Sequence, residues 1–515
     1  MRPFRNTASV TEHIDVRRDS RTSSLRAFGA LILAGALLTT PAILNGFPFI
    51  FYDSASYLKR ASAVTHNRMN EIGSSISTGS RVEKPSPPLE VNSRPARGDT
   101  SYKNISRNPF FLRPITYSII LIPFSTPLTF YLLPLAQGIL SAYVIRRLLC
   151  LLGLTGWGQF FATVAGLATL SSLPIQVSYV MPDIFTGILV VMSFITVYSW
   201  STRSNTQRVF DAVLMTGLIA VHLSHIPIAL ALMALFGLLS FKPSWGVRLA
   251  ALVGGVAMPF ALAISLLVGS NYIAAKHPVI SESSPIFLLA RLVGDGTAVT
   301  YLREHCSAER YLLCDRLDDL GVKNTQGSVS DHFLWDPTGS VKQAASPRLL
   351  TEAAKINSGV IREFPFQVMG GAMRNGFRQL LTFQVDVDIN SWAAPFVVES
   401  IRQIGPDLVQ PYVSSVQARG AFPLRVARMV IGLGLTLALA SIAYVMLRRR
   451  SAVSERTWLF LAVVITGLAA NALATGGLSE VHDRYGDRVI WLVPLAGLVL
   501  LCAAATARPA NTKAD

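Results

Sequence analysis

The residues best suited to chemistry in this chain are acids, histidines and arginines at the edges of long apolar runs. Asp53 and Tyr57 stand one helical turn apart in "FPFIFYDSASYL". Arg113 and Tyr117 follow in "NPFFLRPITYSIIL", Asp183 in "YVMPDIFTG", and His222 and His225 in "VHLSHIP". Glu480, His482, Arg484, Tyr485 and Arg488 crowd together in "LSEVHDRYGDRVIWLVPL". Ionisable groups near membrane depth are costly, so their gathering marks a functional site by default. The mixture suits acid–base chemistry beside an anionic ligand such as a phosphate. A carboxylate in a partly dry site can be tuned to take a proton from an acceptor hydroxyl, and guanidinium groups stabilise the charge growing on a departing phosphate. On this reading Asp53 and Asp183 are the catalytic candidates. Tyr57, Arg113, Tyr117, His222, His225, Glu480, His482, Arg484, Tyr485 and Arg488 are the substrate-binding ones.

Several of these residues admit a plainer role. Asp183, behind Pro182, could cap its helix and satisfy free backbone donors there. Arg484 and Arg488 would serve equally as interfacial anchors or as planar forks for a phosphate. His222 and His225 have a spacing compatible with metal binding, but a zinc site needs at least three placed ligands and the sequence supplies no third. The sequence requires no cofactor, admits a divalent metal, and leaves the identity of any metal unknown. Asn104-Ile105-Ser106 fits a glycosylation sequon.

These residues are positioned by an apolar framework. Of the 515 residues, 51% are hydrophobic and 15% charged, against about a quarter charged in soluble domains. The apolar residues fall in unbroken runs without the alternation of a β-barrel. The fold class expected is therefore an all-α integral membrane protein. Ten spans are expected, at Ala27–Leu44, Pro127–Leu149, Gly156–Ile175, Ile184–Trp200, Val209–Leu223, Ile226–Phe241, Leu249–Val268, Val426–Leu447, Trp458–Leu473 and Val489–Ala505. Ser224 and Pro227 mark a break between the fifth and sixth, which otherwise would read as one tilted helix.

The net charge of +16 does not indicate nucleic acid, because the basic residues sit at the ends of apolar runs rather than on one soluble face. Arg17, Arg18, Arg21 and Arg26, then Arg146 and Arg147, Arg203 and Arg208, Lys242 and Arg248, and Arg448, Arg449, Arg450 and Arg456 all fall on one side when ten spans are counted. That side is cytoplasmic by the positive-inside rule and carries both termini. The basic run ending at Arg26 and the long apolar stretch after it predict a retained signal anchor.

The resulting organisation is a cytoplasmic tail (1–26), a seven-span bundle (27–270), an external loop domain (271–423), a three-span bundle (424–506) and a second tail (507–515). The first external loop carries a Ser/Pro-rich insertion at 59–110, expected to be disordered or loose. It is also basic, which long loops tolerate. The stretch "FPFQVMGGAMRNGFRQLLTF" in the second loop predicts an amphipathic helix along the interface. Cys306 and Cys314 lie in the same loop, where an oxidising exterior would favour a disulfide over two free thiols. Cys150 and Cys502 are packing residues.

In the order of its motifs the chain resembles the GT-C glycosyltransferases, the polytopic membrane enzymes of the protein O-mannosyltransferase and aminoarabinose-transferase type. The matching features are the acid after the first span in "YDSASYL", the "RPITYSIIL" entry to the second, Gln137 within it in "LPLAQGIL", "MPDIFTG" at the fourth and "DRYGDRVIWLVPL" at the last. The resemblance implies a GT-C-like fold, a polyprenyl-phosphate sugar donor, an acceptor on the outer face, Asp53 as the catalytic acid, and a multi-pass protein of the bacterial inner membrane serving the cell envelope. Many members carry two adjacent acids where this chain has Asp53 followed by Ser54. Two rival readings are a transporter or lipid flippase and a non-catalytic component of envelope polysaccharide assembly. No inverted repeat and no charges threaded through several spans favour transport. The lipid bilayer is a partner under all three readings.

The topology is directly testable. A cysteine introduced in the 271–423 loop should react with a membrane-impermeant thiol reagent in intact cells, whereas one beside Arg448–Arg450 should react only after permeabilisation. The reverse pattern would invert the orientation.

Overall fold

The structure, a computed structural model, describes residues 25–62, 113–323, 328–336, 338–343, 347–390 and 394–506. The sequon, most of the 59–110 insertion and the two termini lie outside the described residues. Those described are helical, with no strand among them and a single isolated parallel bridge, between Phe49 and Tyr179.

Six helices are long and apolar enough to cross a membrane: Pro127–Leu151, Ile184–Thr202, Leu249–Ile273, Leu424–Arg448, Glu455–Gly476 and Asp483–Thr506. Each overlaps one of the expected spans. At the other four expected positions the helices are shorter. Leu25–Leu38 is followed by a break and Thr40–Asn45, and Trp157–Leu170 is followed by Leu173–Ser178. Asn205–Ala220 and His225–Ser240 flank the break expected at Ser224. Pro41 and Pro174 begin the short second segments, where proline's missing N–H costs nothing.

Ile184–Thr202 is the axial helix: from Ile184 to Val197 every residue is buried. Leu424–Arg448 lies at the periphery and turns Val426, Met429, Leu433 and Leu437 outward, as a helix with lipid on one side would.

The long segment between Leu249–Ile273 and Leu424–Arg448 divides in two. Helices Ser284–Gly294, Thr297–Glu309, Val329–Trp335 and Pro347–Glu363 enclose a core of their own around Ile286, Leu289, Leu302, Phe333 and Ile356. Cys306 and Cys314 are joined in a disulfide there. The later part, with Val385, Ile389, Val397, Ile401 and Tyr412, joins the core of the helical bundle.

Between the two runs Pro365–Leu381, the expected amphipathic helix. It leaves Phe366, Met369, Met373, Phe377 and Leu381 exposed along one stripe and packs its opposite face on Glu455–Gly476. Its end is wedged against Gly486, where a Cβ would lie 2.1 Å from the carbonyl oxygen of Thr382. Only glycine lets the chain at Thr382–Phe383 close onto the helix that carries Arg484 and Arg488.

Gly486→Ala should therefore push that contact apart. Overpacking of this kind costs about 1–3 kcal/mol, and a lowered Tm of the purified protein in detergent should report it.

Candidate functional site

The site begins with two peptide segments held side by side. Phe49 N donates to Ser178 O and Val180 N to Phe49 O, both at 2.9 Å. Two buried glutamines complete the clamp. Gln417 takes Ile50 N on its Oε1 and donates its Nε2 to Ile50 O, while Gln137 Nε2 donates to Val177 O and Tyr179 O. Each amide satisfies backbone groups that would otherwise be buried without partners. This pairing sets Asp53 and Asp183, each a few residues further along its chain, beside one another.

Between them runs an unbroken sequence of ion pairs. Arg113 Nη2 lies 2.8 Å from Asp53 Oδ1, and Asp53 Oδ2 lies 3.0 Å from Arg484 Nη1. Arg484 Nη2 is 2.9 Å from Asp183 Oδ2, and Asp183 Oδ1 is 3.3 Å from Arg488 Nη1. Charges therefore alternate from Arg113 to Arg488, three cations to two anions, leaving the series one positive charge in excess. Side-chain exposure falls along it, from 22% at Arg113 and 23% at Asp53, through 14% at Arg484, to 3% at Asp183 and none at Arg488. The series is thus open at the Asp53 end and sealed at the other. Arg488 is further held by Asn471 Oδ1 and Ser224 Oγ, and Arg484 stacks over the Phe51 ring at 4.4 Å.

Asp183 starts the helix Ile184–Ser199 but makes no side-chain capping hydrogen bond. Its carboxylate is committed to Arg484 and Arg488 instead. At Asp53, burial alone would raise the carboxyl, but Arg113 and Arg484 outweigh it and hold the group below its ordinary value. In this state Asp53 is an ion-pair partner and a weak base, not a carboxylate raised towards proton uptake. Ser54, the residue after Asp53, is fully buried and accepts Phe51 N with its hydroxyl.

The remaining candidates separate into three groups. Tyr57 and Tyr117 are buried beneath Asp53, edge to face at 5.0 Å. His222 Nδ1 bonds Ser224, and so stands one residue from Arg488. His225 uses both ring nitrogens, on Leu218 O and Thr186 Oγ1, which leaves no lone pair for a metal. Tyr485 lies under Arg488, 5.3 Å from guanidinium carbon to ring centre.

Glu480 and His482 belong elsewhere, facing Asp331 on helix Val329–Trp335. Burial and the Asp331 charge push the Glu480 carboxyl up to about 8.

The sequence reading missed Asn471, Ser224, Asp331, and the cavity beside Arg484. That cavity is lined by Phe51, Gln176, Tyr179, Met181, Asp183, Asp386, Arg484 and Asp487, and at about 10 Å³ it is the size of one water. Asp487 accepts from Gln176 on Oδ2 and has no hydrogen-bond partner on its buried Oδ1. A polar residue amid an apolar run, such as Asn471, was the one available signal. Compared with known proteins, the chain matches no protein-family model, no curated protein and no solved structure.

The gradient of exposure predicts a gradient of cost. Asp183→Asn leaves Arg488 buried beside a lost charge and should destabilise the protein by about 3–5 kcal/mol. Asp53→Asn, at the open end, should cost clearly less. Thermal unfolding of both variants in detergent gives the order, and equal losses would contradict it.

Proposed function

We propose that the protein is a membrane glycosyltransferase of GT-C type. On this reading it moves a sugar from a polyprenyl-phosphate donor to an acceptor on the outer face of a bacterial inner membrane. Ten spans and cytoplasmic termini belong to the same reading, the four shorter helices filling the positions of the remaining spans. The observation that supports it is the alternating series from Arg113 to Arg488. Four distant segments deliver two carboxylates and three guanidiniums to one place, with its more exposed end at Asp53.

The chemistry follows from competition for the arginines. A donor phosphate takes guanidinium hydrogen bonds from Arg113 and Arg484, to which carboxylates are now bound, and the forked geometry suits it. Losing those partners frees Asp53 and removes the cause that lowers its pKa. Asp53 then accepts the acceptor's hydroxyl proton as that oxygen attacks the anomeric carbon. The bond from that carbon to the phosphate oxygen breaks, and the polyprenyl phosphate leaves on the arginines. The cavity beside Arg484 admits no sugar as it stands, so donor entry and movement of Arg484 are one event. A transporter would carry ionisable groups through its depth. Here the buried series is confined to one site; of the other strongly buried pairs, Arg147 with Asp211 joins two helices near the ends that the loop charges assign to the cytoplasm, and Arg291 with Asp295 lies in the 271–423 segment.

Asp53→Asn keeps shape and removes charge and basicity. Membranes supplied with a panel of polyprenyl-phosphate sugars should release polyprenyl phosphate about a hundred- to ten-thousand-fold more slowly with this variant. The loss should fall on turnover more than on donor binding. Arg484→Lys should also be damaging, because a point charge cannot fork a phosphate. Unchanged transfer by Asp53→Asn would refute the mechanism and reduce the resemblance to one of fold.

A further inference from the structure

Apart from the ion-pair series, one set of metal-ligating side chains converges from two parts of the molecule. Asp331 lies on the external helix Val329–Trp335, while Glu480 and His482 lie just before the last long helix, shortly ahead of Arg484. One ligand atom from each lies within 4.8 Å of the other two. His482 Nε2 is 3.7 Å from Asp331 Oδ1 and 4.0 Å from Glu480 Oε2. These separations are too long for hydrogen bonds. They exceed by about 0.4 and 0.7 Å the spacing of about 3.3 Å between ligands around a tetrahedral ion with bonds near 2.0 Å, so small side-chain rotations close the set around an ion.

Two further features single the cluster out. Among the described residues, neither Asp331 nor Glu480 has a lysine or arginine within ion-pairing distance, so the His482 imidazole is the one potentially cationic side chain beside two facing carboxylates. The ligands are also oriented by outer contacts, as metal ligands are. The Ser328 hydroxyl donates to Glu480 Oε1 and accepts Asp331 N. The backbone of His482 is gripped by the buried Gln379 at both its N–H and its carbonyl. A second group, Glu304, His305 and Glu363, is comparably close but has both carboxylates on the exposed surface.

We propose that Asp331, Glu480 and His482 bind one divalent transition-metal ion of the zinc type. Imidazole and carboxylate donors suit such an ion, and three protein ligands leave a fourth position for water. The ion fastens the external helices to the segment that carries Arg484 and Arg488, and so supports the ion-pair series from outside. This assignment stands apart from the transfer reading and does not depend on the reaction.

The test uses the full-length protein in detergent, stripped with a chelator and dialysed against Zn²⁺. Elemental analysis should find an equivalent of zinc that is lost in His482→Ala, with affinity falling more than about a hundred-fold. His305→Ala should keep it. Zn²⁺ should raise the Tm of the wild type and of His305→Ala but not of His482→Ala or Glu480→Gln. Co²⁺ added to the wild type should give the visible absorption of a four-coordinate ion, a reading that needs no variant to fold. Absence of that absorption from the wild type, or zinc binding and a Tm shift that survive in His482→Ala, would overturn the proposal.

Discussion

Five charged side chains, buried to increasing degrees, must compensate one another here, and they alternate in sign so that each lies against an opposite charge. An isolated charge in a low-dielectric interior costs several kcal/mol even after relaxation. Arg488, with no exposure at all, is tolerable only because Asp183, Asn471 and Ser224 reach it. Each of these comes from a different helix or turn. The helices therefore cannot rotate or slide independently without stranding a charge. Apolar packing brings the bundle together without much preference for register, since lipid and leucine are nearly equivalent neighbours. The ion pairs supply the register that packing leaves open.

The same constraint explains which parts of this molecule could be read from its sequence. Long apolar runs announced the six longest helices, and Ser224 with Pro227 announced the break between Asn205–Ala220 and His225–Ser240, because solvent preference and backbone sterics act locally. The gathering of Asp53, Asp183, Arg113, Arg484 and Arg488 was legible for a similar reason, since charges beside apolar runs have few places to go. Their pairing was not legible. Asp183 looked like a helix cap because its neighbours in sequence suggest one, whereas its partners lie some three hundred residues away. His222 and His225 looked like a metal-binding pair, and their rings do lie 5.5 Å apart, but His225 spends both its nitrogens on Leu218 and Thr186. Glu480 and His482 looked continuous with Arg484, and the turn into the last long helix sends them towards Asp331 instead. The fate of a side chain at a turn depends on tertiary placement that spacing does not encode.

The segment between the two bundles behaves in a related way. Read as sequence it is one long loop, but its hydrophobic residues split between two cores, residues 286–360 enclosing one and residues 385–412 completing the bundle. The helix Pro365–Leu381 stands between them with an apolar stripe outward. Gln417, at the far end of the same segment, hydrogen-bonds both backbone groups of Ile50, a few residues from Asp53. The loop is therefore part of the machinery that places the first acid.

That clamp has a counterpart further along the chain from Asp53. Arg60 donates to the carbonyl of Arg113, which pins the departure and the return of the long Ser/Pro-rich excursion to each other. Asp53 and Arg113, the two most exposed members of the ion series, sit at these pinned ends and are bonded to each other. The distance between the two posts, not the number of residues between them, is what the first carboxylate and its arginine depend on.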